Sequence, residues 1–276
     1  MSKLHGNCQL LSARGGELTS LRSINDLDTA EKERIYGSII PPRLFSLLEI
    51  APETFCGPDG LRRVRIIAPR GMGLLRMEVR QEAAAPRTVF FVDVTDTHYR
   101  QIELSFCVIA DPAAPRYAVD VDHAGNDNCF ASLGRNIPEE VRAMEAGLYP
   151  NQAARGLKMF GEFFALFERF VDSLGIDMIL AEPLTYDNAV RYERFGFDYL
   201  HGRRLMERID RGFAPDGELT RHLDGSTPFR RRGMERSVHG RSWAIHDGIM
   251  DEPWEDVRIY RMIGADAGVK TFTEWK

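Results

Sequence analysis

Tyr192 is the residue best placed by type and spacing to do chemistry. It lies in the run Tyr-Glu-Arg-Phe-Gly-Phe, 192–197, at the end of a short helical pattern over 186–195. A phenolic hydroxyl there can give a proton to a departing group. Upstream, Gln152-Ala153-Ala154-Arg155-Gly156-Leu157-Lys158 opens a long amphipathic pattern that predicts a helix to Leu174. The first amides of a helix form a ready anion site, and Arg155 and Lys158 add positive charge to it. Candidate bases are Glu103, Asp120, Asp122 and His123, on or beside central strands. Asp120 and Asp122 alternate with Tyr117, Val119 and Val121 over 117–122, which reads as a fifth strand. Two carboxylates on one face raise the pKa of one of them and make a base near neutrality. The same pair also fits a solvated acidic edge.

Elements to hold these groups are readable on both sides. Asp28-Thr29 marks a helix start with Glu31 and Glu33 in its first turn, stopping before Pro41-Pro42. A second short helix covers 43–50, and residues 1–26 form a polar, mobile lead-in. The periodicity then changes to two. RVRIIA, LLRMEVRQ, TVFFVDV and QIELSFCVI predict strands, joined by turns at 69–71, 84–86 and 96–98. Connections this short predict an antiparallel meander. Residues 123–150 form an insertion, with a loop and then a short helix opened by Pro138. In the long helix, Met159, Phe160, Phe163, Phe164, Phe167, Phe170, Val171 and Leu174 make a buried stripe, and Gly175 ends it. DMILAEP is a short strand. FDYLHGRRLMERI is read as a strand, 210–242 as loop, and SWAIH and VRIYRMI as late strands.

Composition bounds the function. The 276 residues carry a net charge of −5, with 43% hydrophobic and 28% charged residues, as ordinary globular proteins do. There is no global attraction to nucleic acid, and no apolar run spans a bilayer. No secretory pattern opens the sequence, so a cytoplasmic protein is expected. Cys8, Cys56, Cys107 and Cys129 are widely spaced and suggest reduced thiols. The histidines show no metal-ligand spacing, so no metal is expected. The segment 201–241 is rich in arginine, including Arg230-Arg231-Arg232-Gly233. It suits a grip on a phosphate, an acyl-carrier protein or nucleic acid, or else a solvated loop.

The order of meander, helix, strand, helix and Tyr-Glu-Arg-Phe-Gly-Phe resembles the GNAT superfamily of acyl-CoA-dependent N-acyltransferases over about 60–210. Ala189 and Tyr192-Glu193-Arg194-Phe195-Gly196-Phe197 look like that family's second motif. The family's phosphate motif, Gln/Arg-x-x-Gly-x-Gly/Ala, has its nearest counterpart in 152–158, where one glycine remains. The resemblance implies an α/β (α+β) fold with a mixed, mostly antiparallel sheet flanked by helices. The domain is then 58–210 with its insertion 123–150, between a helical extension 1–57 and an irregular extension 211–276 packing on it. It implies acetyl-CoA or another acyl-CoA as donor, and a small-molecule or peptide amine as acceptor. Its pantetheine arm would lie where the fourth and fifth strands part. Gln152, Arg155, Gly156, Leu157, Lys158 and Asn188 would bind the cofactor, and amides of Val119 to Val121 would hold the oxyanion. Tyr192 would be the acid, with Asp122 or Glu103 as base. Two other classes remain open. One is a binding or regulatory module that keeps the fold without the reaction. The other is an acyltransferase for long chains delivered by a carrier protein.

Overall fold

The computed structural model describes residues 9–85, 87–131 and 133–274; Cys8, Pro86 of the 84–86 turn and residues 1–8 of the lead-in lie outside them. The chain begins with α1 (Leu21–Asn25), α2 (Thr29–Gly37) and α3 (Pro42–Leu47). Four strands follow: β1 (Val64–Ile67), β2 (Leu74–Val79), β3 (Phe90–Asp96) and β4 (Ile102–Ile109). Next come α4 (Ile137–Glu145), α5 (Phe160–Ser173), β5 (Met178–Ala181), α6 (Tyr186–Glu193) and β6 (Asp198–His201). The last elements are α7 (Arg203–Gly212), α8 (Glu218–Arg221), a 3₁₀ turn (Met234–Arg236), α9 (Val238–His246) and β7 (Arg258–Met262). The fold is mixed α+β, and its described strands pair mostly antiparallel. It divides into two compact units.

The first unit contains the chain up to Pro112, Gly156–Ala181 and Arg261–Ala265. β1 to β4 form the expected antiparallel meander, with Val64 opposite Val79, Met77 opposite Val92 and Val92 opposite Cys107. Alternation sends Val64, Leu75, Met77, Phe90, Val92, Val94 and Leu104 into the core, while Arg65 and Arg76 stay exposed. α5 covers that core with Phe163, Phe164, Phe167 and Phe170, all buried. The Phe163 ring meets Phe90 edge-on at 5.5 Å, and Phe170 meets Tyr36 at 6.1 Å. Each such ring contributes about 1.5–3 kcal/mol by its removal from water. Gly175 ends α5 at φ +66°, the left-handed stop its position requires. α2 begins as expected, with the Asp28 carboxylate accepting from the Glu31 amide at 3.0 Å.

α1 falls in the part of the lead-in expected to be mobile. Ser20 and Ser23 form a capping box. The Asp96 carboxylate, from the end of β3, accepts from the Leu21 and Arg22 amides at 2.9 Å each. Asn25, fully buried, donates to the Met72 and Leu74 carbonyls and accepts from the Tyr36 hydroxyl.

The second unit holds Ala113–Arg155, Glu182–Tyr260 and Asp266–Lys276. Its apolar centre is Val119, Ala143, Met144, Leu148, Phe229 and Trp243. Phe229 stacks on Trp243 at 5.2 Å, and the indole N–H donates to the Leu148 carbonyl. β6 and β7 pair antiparallel. Arg241 is fully buried; it donates to Asp210 at 2.7 Å, to the Glu235 carbonyl at 2.7 Å and to the Thr273 carbonyl at 2.9 Å.

Four expectations are corrected here. The segment 117–122 is not a strand. Its Ala118 amide donates to Glu139 and its Val119 carbonyl accepts from Asn128, so side chains of α4 and the loop take the place of a ladder. The long helix starts at Phe160 rather than near Gln152, because residues 156 and 157 bond to the end of β4 and Lys158 turns left-handed at φ +56°. The 197–209 strand stops at His201, where Gly202 at φ +89° admits α7; a Cβ there would sit 2.9 Å from Val257 Cγ2. SWAIH belongs to helix α9, started by Ser237, whose hydroxyl accepts from the Gly240 amide.

Two outcomes follow from the buried charges. Removing Asp210 leaves the Arg241 guanidinium buried without its anion, so Asp210→Ala should cost about 3–5 kcal/mol of unfolding free energy in a urea titration. For Glu140, burial pushes the carboxyl up, but His246 and Arg135 outweigh it and hold the carboxyl below its ordinary 4.5. A depressed carboxylate stabilises the fold above its unfolded pKa and loses that contribution as pH falls through the folded value. Melting temperature should therefore drop as pH goes below 4.5, and Glu140→Gln should flatten that slope.

Candidate functional site

β4 carries a bulge. Val94 pairs with Leu104, yet Asp93 pairs with Phe106, which leaves Ser105 as the extra residue. On its other side, β4 runs parallel to β5 through Ile102↔Ile179, Glu103↔Leu180 and Leu104↔Ala181. That ladder ends one residue before the bulge. From 105 to 109 β4 continues beside β3, and among the described residues β5 supplies it with no further partner. A strand edge of this kind presents backbone N–H and C=O groups to whatever comes beside it.

The far end of this edge is closed by the chain returning as residues 156–157. Gly156 forms a bridge with Ala110, and the Leu157 amide donates to the Ile109 carbonyl at 3.3 Å. The approach is close: a Cβ on residue 156 would lie 2.8 Å from the Ile109 oxygen. Glycine is needed there for space rather than for backbone sign. Three residues later α5 begins, and no side chain caps its N-terminus. The edge of β4, the 156–157 joint and the start of α5 therefore all lie in the first unit.

Glu103 stands on β4 two residues before the bulge and accepts a hydrogen bond from the Ser105 hydroxyl at 3.3 Å. It lies opposite Thr95. On the neighbouring strands, Arg76 grips Asp93 with two bonds of 2.8 and 2.7 Å and lies over the Phe91 ring.

Lys158 is exposed in the turn before α5, and the remaining expected residues belong to the second unit. Arg155 is exposed and donates to the Ala146 carbonyl behind α4, and the Gln152 side chain accepts from the Tyr149 amide. Val119 is buried, and Val121 makes a bridge to Asp127, so neither supplies an amide on a central strand. Asp120 pairs with Arg116. Asp122 closes a tight turn; the Asn126 amide, with the Asn126 side chain and the Ala124 amide, holds its carboxyl below the usual range. That is the opposite of the raised pKa a shared acidic face would give, and it makes Asp122 a weak base. Asn188 is half-buried on α6. Tyr192 is half-buried in the last turn of α6, with its ring edge on Phe197 at 4.9 Å and its carbonyl accepting from the Phe195 and Phe197 amides. Gly196 follows at φ +75°.

Ser105 carries no mark of the bulge in the sequence. The core-facing residues step Ile102, Leu104, then Cys107 and Ile109, a jump of three where alternation demands two. Phe106 and Val108 are apolar as well, which blurs that jump. Among the described residues, no group of three or more His, Cys, Asp or Glu converges on a metal position, and no helix is long and apolar enough to cross a membrane. Compared with known proteins, the chain matches no family model, no curated protein and no solved structure.

The joint at Gly156 gives a direct check. Gly156→Ala pushes a methyl group into the Ile109 carbonyl and should destabilise the protein by about 1–3 kcal/mol. An unchanged urea midpoint would mean that the joint relaxes without cost.

Proposed function

We propose that this chain is a GNAT-type N-acyltransferase that moves an acyl group from acyl-CoA to an amine. One observation carries the reading: the parallel ladder between β4 and β5 ends at the Ser105 bulge while β4 runs on. The pantetheine arm of CoA is extended and bears amides, and it can run along a strand as a peptide does. The family resemblance puts that arm where the fourth and fifth strands part. The uncapped start of α5 suits the pyrophosphate, which moves the anion site from 155–158 to the amides that begin at Phe160.

Acyl-CoA supplies the thioester. In this reading the chain's own groups do the rest. An amide of β4 beyond Ser105 takes over from 119–121 as donor to the oxyanion. Glu103, steadied by the Ser105 hydroxyl, draws the proton from the attacking amine. The motif 192–197, in the second unit, resembles the family's second motif, and that resemblance alone implies Tyr192 as the acid. Acetyl is the simplest acyl group for this site.

A second reading is a binding or regulatory module that has lost the reaction. It is favoured by the motif 152–158, which keeps one glycine and does not open a helix. Calorimetric titration with acetyl-CoA and with a long-chain acyl-CoA, followed by turnover against a panel of amines, separates the two. Tyr192→Phe keeps the ring against Phe197 and loses the proton donor. It should lower turnover by about 10²–10⁴-fold with CoA affinity and melting temperature unchanged. An active parent with an equally active Tyr192→Phe would remove Tyr192 from the mechanism; a parent that binds CoA but acylates no amine would favour the module.

A further inference from the structure

The segment 266–274 forms no helix or strand, yet it is tied into the second unit at every other residue. The Ala267 amide donates to the Gly196 carbonyl at 3.3 Å. Val269 and Thr271 are buried, while Lys270 between them is exposed, the alternation of an extended chain laid on a surface. The Thr271 amide donates to Glu193 Oε2 at 3.0 Å, and its hydroxyl donates to Glu193 Oε1 at 2.5 Å. The Thr273 amide donates to Asp210 at 2.8 Å, its carbonyl accepts from Arg241, and the Arg241 guanidinium lies 4.5 Å from the centre of the Phe272 ring.

Glu193 is the key to this arrangement. It is buried, with 7% of its surface exposed, and sits next to Tyr192 in the last turn of α6. Its carboxylate is satisfied by hydrogen-bond donors: the Tyr199 hydroxyl at 2.6 Å and the two groups of Thr271. A buried carboxylate satisfied this way holds its donors firmly, because a lost donor leaves charge in an apolar setting. The turn it anchors is the one whose Phe195, Gly196 and Phe197 amides bond back to Tyr192 and Glu193.

We infer that the segment 266–274 is a strap that fixes the last turn of α6, with Glu193 and Thr271 as positioning residues for Tyr192. The inference rests on the acyl-transfer reading for its catalytic half only. Fixing a proton donor matters because small misplacements of catalytic groups cost large factors in rate.

The test uses two variants that loosen the strap by different chemistry. Thr271→Val removes one donor to Glu193 and keeps the shape. Val269→Ala thins the strap's apolar anchor and leaves every donor to Glu193 in place. Hydrogen exchange at the Phe195, Gly196 and Phe197 amides reads the turn directly, whether or not the protein is an enzyme. Both variants should speed that exchange by at least about tenfold while the global melting transition stays cooperative. If Val269→Ala exchanges at the parent rate, Thr271→Val acts only through an underbonded Glu193 and the strap is overturned; parent-rate exchange in both also overturns it. In turnover, Thr271→Val should lower kcat by about ten- to a hundredfold with KM for acyl-CoA unchanged, and should have no further effect in a Tyr192→Phe background. An equal further loss in that background would reject positioning of Tyr192. A parent without acyl transfer would remove the function proposed above, and the exchange comparison would still decide the strap.

Discussion

The close seat of Gly156 against the Ile109 carbonyl is the constraint from which the rest of the candidate site follows. After β4 the chain leaves the first unit and re-enters it at Gly156. Because no side chain stands at that point, residues 156 and 157 can bond to the last residues of β4. That joint sets where α5 begins, and the ring of Phe163 on Phe90 sets how it lies on the meander. The bulge at Ser105 then does the complementary job. It ends the pairing between β4 and β5 before the joint is reached. Neither a bulge nor a close glycine is costly when packing on both sides specifies the backbone, and the buried aromatic and aliphatic side chains of the meander and α5 do so here.

The second unit is stabilised differently. Its apolar centre around Trp243 is supplemented by paired charged groups, of which Arg241 and Glu140 are buried. Arg241 reaches a carboxylate and two carbonyls, and Arg135 and Arg230 converge on Asp247 with Glu140 alongside. Paired interior charges of this kind contribute little net stability, but they penalise any packing that leaves one unpaired. They make the geometry specific where the backbone is irregular, as it is through much of 213–237 and 247–257.

The sequence was most legible where one periodicity ran without interruption. β1 to β4 and the phenylalanine stripe of α5 were visible because a single face is buried in each. The Arg-rich segment hid α9, since Gly240 and Ser242 argue against a helix, and Gly240 is there because Met234 passes too close for a Cβ. The alternation of 117–122 was real, but α4 and Asn128 satisfy that segment instead of a neighbouring strand. For the site, Gly156 was picked out by the motif it belongs to, though as a phosphate-loop glycine rather than a joint. Ser105 carried no chemical label, and a bulge depends on the partner strand as much as on its own residue. Tyr192 is marked by its motif, whereas two of the donors to Glu193 come from residue 271, far along the chain.

The five-residue helix α1 has a consequence for how the protein assembles. A helix that short cannot persist alone, because its nucleation is not repaid by enough propagated turns. Two of its first amides are held by Asp96, separated by 75 residues in sequence for Leu21, and its Asn25 is fixed by carbonyls at the start of β2. Those acceptors reach their places only when the β2–β3 hairpin has closed. α1 is therefore a late element, whose order is borrowed from the sheet through contacts of high sequence separation. Its own local preferences set neither when it forms nor how long it lasts; the hairpin does.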